Sequence, residues 1–344
     1  MGAKDPGKTF IFKEKEEKMK KGRFFSLTTF VIVVGMVILG VSSFCQAEYP
    51  KSPVSMVVAY SPGGATDFQA RIVSMMAGEE KYLGQPIVII NKPGAGGQVG
   101  WNWVIQKGTK DGYTMTAYNV PHFIAQSIVY KTKYDINKFE PVANWGADPA
   151  VLIVPKDSPF NTAQDLIDYA KKNPGKVTVT GAGMYVGHHI AFLQFSKAAN
   201  IKMTYIPEKG GVPAMQSVVA AKVKAGFNNL SDAYRNKDRI KILAVADLER
   251  HDFLPDVKTF KEMGIDVDDS SVNFRGVAFP KGVPQDIITK CADIFPKMFN
   301  DKKVLGKMKT SGSPVRVMTR DQVIKMFQER ENYLKDLLKE LRKK

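Results

Sequence analysis

After residue 47 the chain alternates short β-rich runs with helix-like stretches, and this alternation constrains its fold more than any other feature. Residues 54–60, 86–91 (PIVIIN), 114–119 (TMTAYN), 150–155 (AVLIVP), 177–180, 203–206, 242–246 and 276–279 read as strands. Helical patterns lie between most of them, the signature of βαβ units and parallel sheets. Residues 320–344 read as a charged amphipathic closing helix, with Val323, Met326, Phe327, Leu334 and Leu337 on or near one stripe. A chain of 344 residues with 44% apolar content can fill two cores.

Residues 1–47 have another character. A basic MKKGR at 19–23 precedes the apolar FVIVVGMVIL at 30–39, and Cys45-Gln-Ala47 ends in a small residue. This pattern predicts a secretory signal cleaved after Ala47, with the segment before Met19 a mis-assigned start. An uncleaved membrane anchor is the rival, since no charge falls between Arg23 and Glu48, although Gly35, Gly40, Ser42 and Ser43 weaken it. Phe44 beside Cys45 speaks against a lipoprotein.

Without that segment Cys291 stands alone, so no intramolecular disulfide is expected and stability must come from packing. Residues 1–47 hold eight Lys/Arg and four Asp/Glu, which leaves 42 basic and 30 acidic residues and a net charge of +12. The cations are dispersed and accompany no nucleic-acid motif, so no nucleic-acid partner is predicted. A positive field would still draw in anions.

The sharpest local motif is AYSPGGATDF, residues 59–68, between the first strand and a helical pattern. Thr66-Asp-Phe-Gln69 reads as a capping box with Thr66 as N-cap. Phe68, Ile72, Met75, Met76 and Leu83 then supply a buried stripe. Gly63 and Gly64 bring backbone N–H groups to the positive end of a helix at the carboxyl end of a strand, where open α/β sheets bind ligands and where an anion is favoured.

A second glycine loop, GAGGQVG at 94–100, follows PIVIIN. Its spacing is imperfect for a dinucleotide, and no acidic residue ends the next strand, so no nucleotide cofactor is predicted. His188-His189 are adjacent and cannot readily chelate one metal. One imidazole is expected to pack under its loop while the other faces a cleft or solvent. There is no GxSxG elbow, and four histidines form no nucleophile constellation, so an enzyme is not expected.

The blocks YPKSPVSMVVAYSPGGATDFQARI, GQPIVIINKPGAGGQVG and KDGYTM, continued by GHHIAFLQF, IPEKGGVPAMQSVVAAKV, ILAVADLERHDFLPDVKTFKEMG and GVAFPKGVP, resemble the extracytoplasmic solute receptors of the tripartite tricarboxylate transporter family, also called Bug proteins. The likeness spans nearly everything after residue 47. It implies an α/β chain with the type II periplasmic-binding-protein (Venus flytrap) fold, two lobes joined by a double-crossover hinge. Lobe 1 is expected to comprise residues 48–150 plus 271–344, and lobe 2 residues 151–270. The implied function is capture of a small organic carboxylate in the interlobe cleft and its delivery to membrane permease subunits, by a periplasmic monomer without cofactor or metal. A sensor that presents its closed form to a signalling partner is the alternative.

By the same resemblance the carboxylate sits against the two glycine loops, matched here by residues 61–67 and 93–97. Gly63, Gly64, Ala65 and Thr66 are expected to form the grip, through backbone N–H groups and the Thr66 hydroxyl, with Tyr60 and Ser61 beside them as ligand-binding residues. Asp67 is expected to fasten the loop through backbone N–H groups rather than touch an acid, with contact to a ligand amine as the alternative. Ala95 and Gly96 of the second loop, with Asn119 and His122 after TMTAYN, are predicted wall residues. Gly183, His188, Lys209, Gly210 and Asn228 complete the set from the second lobe. Val186, Gly187, Glu208, Lys224 and Asn228 depart from the family pattern, which points either to an unusual distal end of the ligand or to drift outside the pocket. Gly64→Val and Thr66→Val are expected to weaken binding and leave the fold largely intact.

Overall fold

The computed structural model describes residues 49–342. The predicted signal and its anchor alternative lie outside the described residues, and none of the described helices is long and apolar enough to cross a membrane.

Two five-stranded sheets carry the chain. The first has β1 (Val54–Val58), β2 (Ile87–Asn91), β3 (Thr114–Val120), β4 (Phe139–Asp148) and β10 (Asn273–Pro280) in the order β2-β1-β3-β10-β4. The second has β5 (Ala150–Pro155), β6 (Thr178–Gly181), β7 (Thr204–Pro207), β8 (Ala225–Asn229) and β9 (Ile240–Ala246) in the order β7-β6-β8-β5-β9. Three strands of each sheet pair in parallel, as the βαβ pattern predicts, but the sheets are mixed. β10 runs antiparallel to β3 and β4, and β5 antiparallel to β8 and β9. In each sheet the antiparallel strand joins directly to the other sheet: β4 passes to β5 through Pro149, and β9 returns to β10 across residues 247–272. β4 and β8 were not among the predicted strands.

The period-two rule divides the core of the second sheet. Ala150, Leu152 and Val154 of β5 pack with Phe195, Phe227 and Phe260 on one face. Val151 and Ile153 pack with Val218, Leu230 and Val245 on the other. In the first sheet, Trp101 of α2 (Gln98–Lys107) meets Phe123 of α3 (His122–Val129) and Tyr134, with ring centroids 6.0 and 5.6 Å away. This helix lies close to β1 because residue 100 is glycine: a Cβ there would stand 2.8 Å from Ala59 Cα. The closing helix α10 (Arg320–Leu341) buries Val323, Met326, Phe327, Leu334 and Leu338, so its stripe ends on Leu338 rather than Leu337.

The helix after the opening turn, α1 (Ala65–Ser74), starts two residues earlier than predicted, with Gly64 rather than Thr66 as N-cap and no side-chain cap. Thr66 therefore lies inside the first turn. A reciprocal capping box does form at Thr162 and Asp165, which start α4 (Ala163–Lys172). Met75, expected in the buried stripe of α1, is exposed, while Ile72, Met76 and Leu83 are buried.

Candidate functional site

β1 is buried at every position but the half-buried Ser55, and the Ser61–Gly64 turn follows its carboxyl end beside the N-terminus of α1. The N–H groups of Ala65 and Thr66 occupy the first helical positions, where no intrahelical acceptor exists, and they meet no protein acceptor among the described residues. The Gly63 N–H, part of the expected grip, is already committed: it donates to Asp67 Oδ2 at 2.9 Å. Gly64 N points to Ser61 O at a long 3.4 Å.

Asp67 fastens the loop. Besides Gly63 it accepts from Arg71 Nη2 and Asn91 Nδ2, both at 2.9 Å on Oδ1. These bonds to Arg71, Gly63 and Asn91 outweigh the opposing effect of burial, the largest single influence, and hold its carboxyl below the usual carboxylate range.

The Thr66 hydroxyl is diverted from capping by two buried donors. Its oxygen accepts from Asn119 Nδ2 at 2.9 Å and Arg275 Nε at 3.2 Å. A hydroxyl has two acceptor sites and one proton, so both lone pairs are used and the proton remains to be donated. Arg275 is fully buried on β10 and pairs with the equally buried Asp148 at 2.6 Å. Asp148 in turn accepts from Ser231 N at 3.1 Å and from Ser231 Oγ, at the start of α7 (Leu230–Arg235) in the second sheet. Gln69 Nε2 donates to Asp148 at 3.3 Å, and Gln69 Oε1 accepts from Trp145 and Arg275. One charged network thus ties α1, β4, β10 and α7 behind the turn.

In front of Thr66 lies a cavity of about 20 Å³ lined from both sheets. Of the predicted residues, Tyr60, Ser61, Gly64, Ala65, Thr66, His122 and His188 line it. The others stand nearby. Asn119 holds Thr66 from behind, and Asn228 bonds to Gly211 O at 3.1 Å and accepts from Asn229 N. Lys209 and Ala95 are exposed, and Gly210 is the N-cap of α6 (Gly211–Val219). Gly96 and Gly183 meet each other across the cleft, where a Cβ on Gly183 would lie 3.1 Å from Gly96 Cα. The Gly96 carbonyl accepts from Tyr60 Oη at 2.8 Å and Gln126 Nε2 at 3.2 Å. Gln126 Nε2 also reaches Met184 O at 3.1 Å and bridges the two loops.

Six lining residues escaped sequence reasoning: Ala182, Gly211, Val212, Asn229, Asp232 and Asn273. Asn273 joins the halves, accepting from Asn119 at 3.1 Å and donating to Asn229 Oδ1 at 3.4 Å. Asn229 and Asp232 were missed because AGFNNLSD carries no clear apolar period, yet it forms β8 and the first turn of α7. The one available signal was Arg275, a charge inside the apolar run NFRGVAF.

Burial keeps the histidines neutral. Burial pulls His188 down to about 4, against an upward pull from its hydrogen bond with Asn229, and its Nδ1 accepts from Ala182 N at 3.1 Å. The proton therefore sits on Nε2. His122 is pushed well below its usual value by burial, then by His188 and Arg275. His189 packs under its loop, accepting from Tyr185 N at 3.1 Å against the Tyr205 ring 4.5 Å away.

Of the departures, Glu208 accepts from Ser217 Oγ at 2.7 Å and Lys224 borders a separate groove beside Tyr169, so neither lines the cavity. Gly187 has no room for a side chain, since a Cβ would lie 2.5 Å from Ser271 O.

A model described as tripartite tricarboxylate transporter family receptor matches residues 70–342. A Pseudomonas sp. protein from the tcbD-tcbE intergenic region is 30% identical over 303 residues, 82% of this chain and 87% of the relative. BugT of Bordetella pertussis is 27% identical over 305 residues, 86% of this chain and 92% of the relative. The solved periplasmic binding protein BugD is 27% identical with a TM-score of 0.79, covering 85% of this chain and 98% of its own. An R. palustris protein solved with adipate has the same TM-score and coverage at 25% identity. The chain belongs to the tripartite tricarboxylate transporter receptor family.

Proposed function

We propose that this receptor takes a small organic carboxylate into the cavity between its sheets and delivers it to the membrane permease subunits of a tripartite transporter. It is a binding protein rather than an enzyme. One observation carries the carboxylate reading: the Ala65 and Thr66 N–H groups and the spare Thr66 proton border a buried cavity and lack protein acceptors. Unpaired donors at a helix N-terminus favour an anion. The adipate held by the R. palustris relative supports the same chemistry.

A cavity of about 20 Å³ has space for about one water, so an organic acid requires the two halves to part and close again. Residues 48–150 with 271–344 and residues 151–270 are the proposed moving lobes, hinged at the β4–β5 and β9–β10 connections. Ligand raises the closed population only to the extent that it contacts that state better. The N-terminal 47 residues would export the chain to the periplasm, where it acts as a monomer and binds no nucleic acid.

Thermal unfolding of the full chain against mono-, di- and tricarboxylates, aromatic acids, amino acids and nucleotides tests this. A ligand at 100 times its Kd should stabilise by about 2.7 kcal/mol. A carboxylate that raises the unfolding temperature is the expected result; stabilisation by nucleotides alone would overturn it.

A further inference from the structure

Resting on the carboxylate reading, we infer that Asp232 selects ligands that carry a hydroxyl or ammonium donor besides the carboxylate. Asp232 lines the cavity on the second-sheet side and is 5% exposed. Its Oδ1 pairs with Arg235 and its Oδ2 accepts from Asn229 Nδ2 at 3.2 Å. A carboxylate offers about four acceptor sites, so two remain. Residue 211 being glycine leaves this group uncovered: a Cβ there would stand 3.1 Å from Asp232 Oδ2.

The two walls are thus chemically opposite. The α1 wall presents donors with no protein acceptor, and the α7 wall presents a carboxylate with acceptor capacity left over. Among the described residues no lysine or arginine lines the cavity. A second ligand carboxylate beside Asp232 would meet like charge with no lysine or arginine among the lining residues, whereas a hydroxyl or ammonium would form a charge-assisted bond. Such a bond in a buried site discriminates against the analogue lacking the donor, because the protein group is then left unpaired. Arg235 pairs with Asp232, lies over the Phe68 ring of α1 with the centroid 4.6 Å off, and is not among the lining residues.

The test is titration calorimetry of the full chain with matched acids: succinate, malate and aspartate; glutarate, 2-hydroxyglutarate and glutamate; benzoate and its hydroxy and amino derivatives. In the wild type the donor-bearing member of the series that binds should be at least about tenfold tighter than its unsubstituted partner. Asp232→Asn should bring that ratio below about threefold. Arg235→Gln, which removes the counter-ion and keeps the carboxylate, should raise the preference for ammonium over hydroxyl, and it decides the matter if Asp232→Asn fails to fold. An unsubstituted acid bound as tightly in the wild type, or an unchanged ratio in either folded variant, would overturn the Asp232 assignment and leave the carboxylate reading standing. Binding of no acid in any series would overturn both.

Discussion

Replacing Thr66 by valine tests the grip and its support together. Valine keeps the shape of threonine and removes the oxygen that accepts from Asn119 and Arg275. Both donors are fully buried, and water cannot replace the lost acceptor. Leaving a buried donor unpaired costs about 1–3 kcal/mol, and more where it is charged, so two orphans predict a loss of about 2–5 kcal/mol. At about 2 °C per kcal/mol for a chain of this size, the ligand-free protein should melt about 4–10 °C lower. Affinity should fall a further tenfold or more, because the proton donated to the ligand is gone as well. The variant is therefore not the clean binding mutant that the sequence alone promised. Thr66→Ser keeps the oxygen and should stay within about 1 kcal/mol of wild type in the same scanning calorimetry. A Thr66→Val protein that melts with the wild type in the absence of ligand would refute the argument, since Asn119 and Arg275 would then not depend on this oxygen.

Gly64→Ala is the cleaner probe of closure. Its Cβ meets only Ser61 O at 3.5 Å and Val212 Cγ2 at 3.8 Å, so the melting temperature should hold while calorimetry shows affinity falling, and equal affinity would sink this placement of the turn. Gly187→Ala should prevent full closure, because its Cβ would lie 2.5 Å from Ser271 O; small-angle scattering should report a larger radius than wild type, and an unchanged radius contradicts it. Arg275→Met should cost about 3–5 kcal/mol by stranding Asp148, and Asp148→Leu on top of it should recover part of that loss in chemical denaturation. His188 and His189 titrate near 4 in the fold, below the usual 6.5, so the unfolded chain binds more protons as pH falls between those values. Their contribution is complete above about pH 6.5 and is lost as pH drops toward 4, roughly a few kcal/mol in all. A melting temperature flat from pH 7 to 4 would contradict this.

Local chemistry made much of the scaffold legible. β1, β5 and the closing helix carry unbroken apolar periods, and the Pro-Gly-Gly-Ala-Thr turn could only follow a strand and open a helix. β4 and β8 were illegible for the converse reason. FEPVANWGAD and AGFNN both mix glycine and asparagine, with a proline in the first, and each is a strand because its neighbours supply the ladder.

The site divides along the same line. Sequence determined that a glycine turn would leave N–H groups bare at the head of α1, because backbone conformation there depends on a few adjacent residues. It determined too that Asp67 would turn back on its own loop. Only the tertiary structure decided what those groups face. Thr66 gave up its cap because Asn119 and Arg275, 53 and 209 residues away, arrive with buried donors that have greater need of an acceptor. Asp232 and Asn273 reached the cavity because the chain crosses between sheets at residue 149 and returns across 247–272, which brings α7 and β10 opposite α1. Hydrogen bonds between such distant residues leave no periodic trace, since their spacing is set by topology rather than by the repeat of a helix or strand.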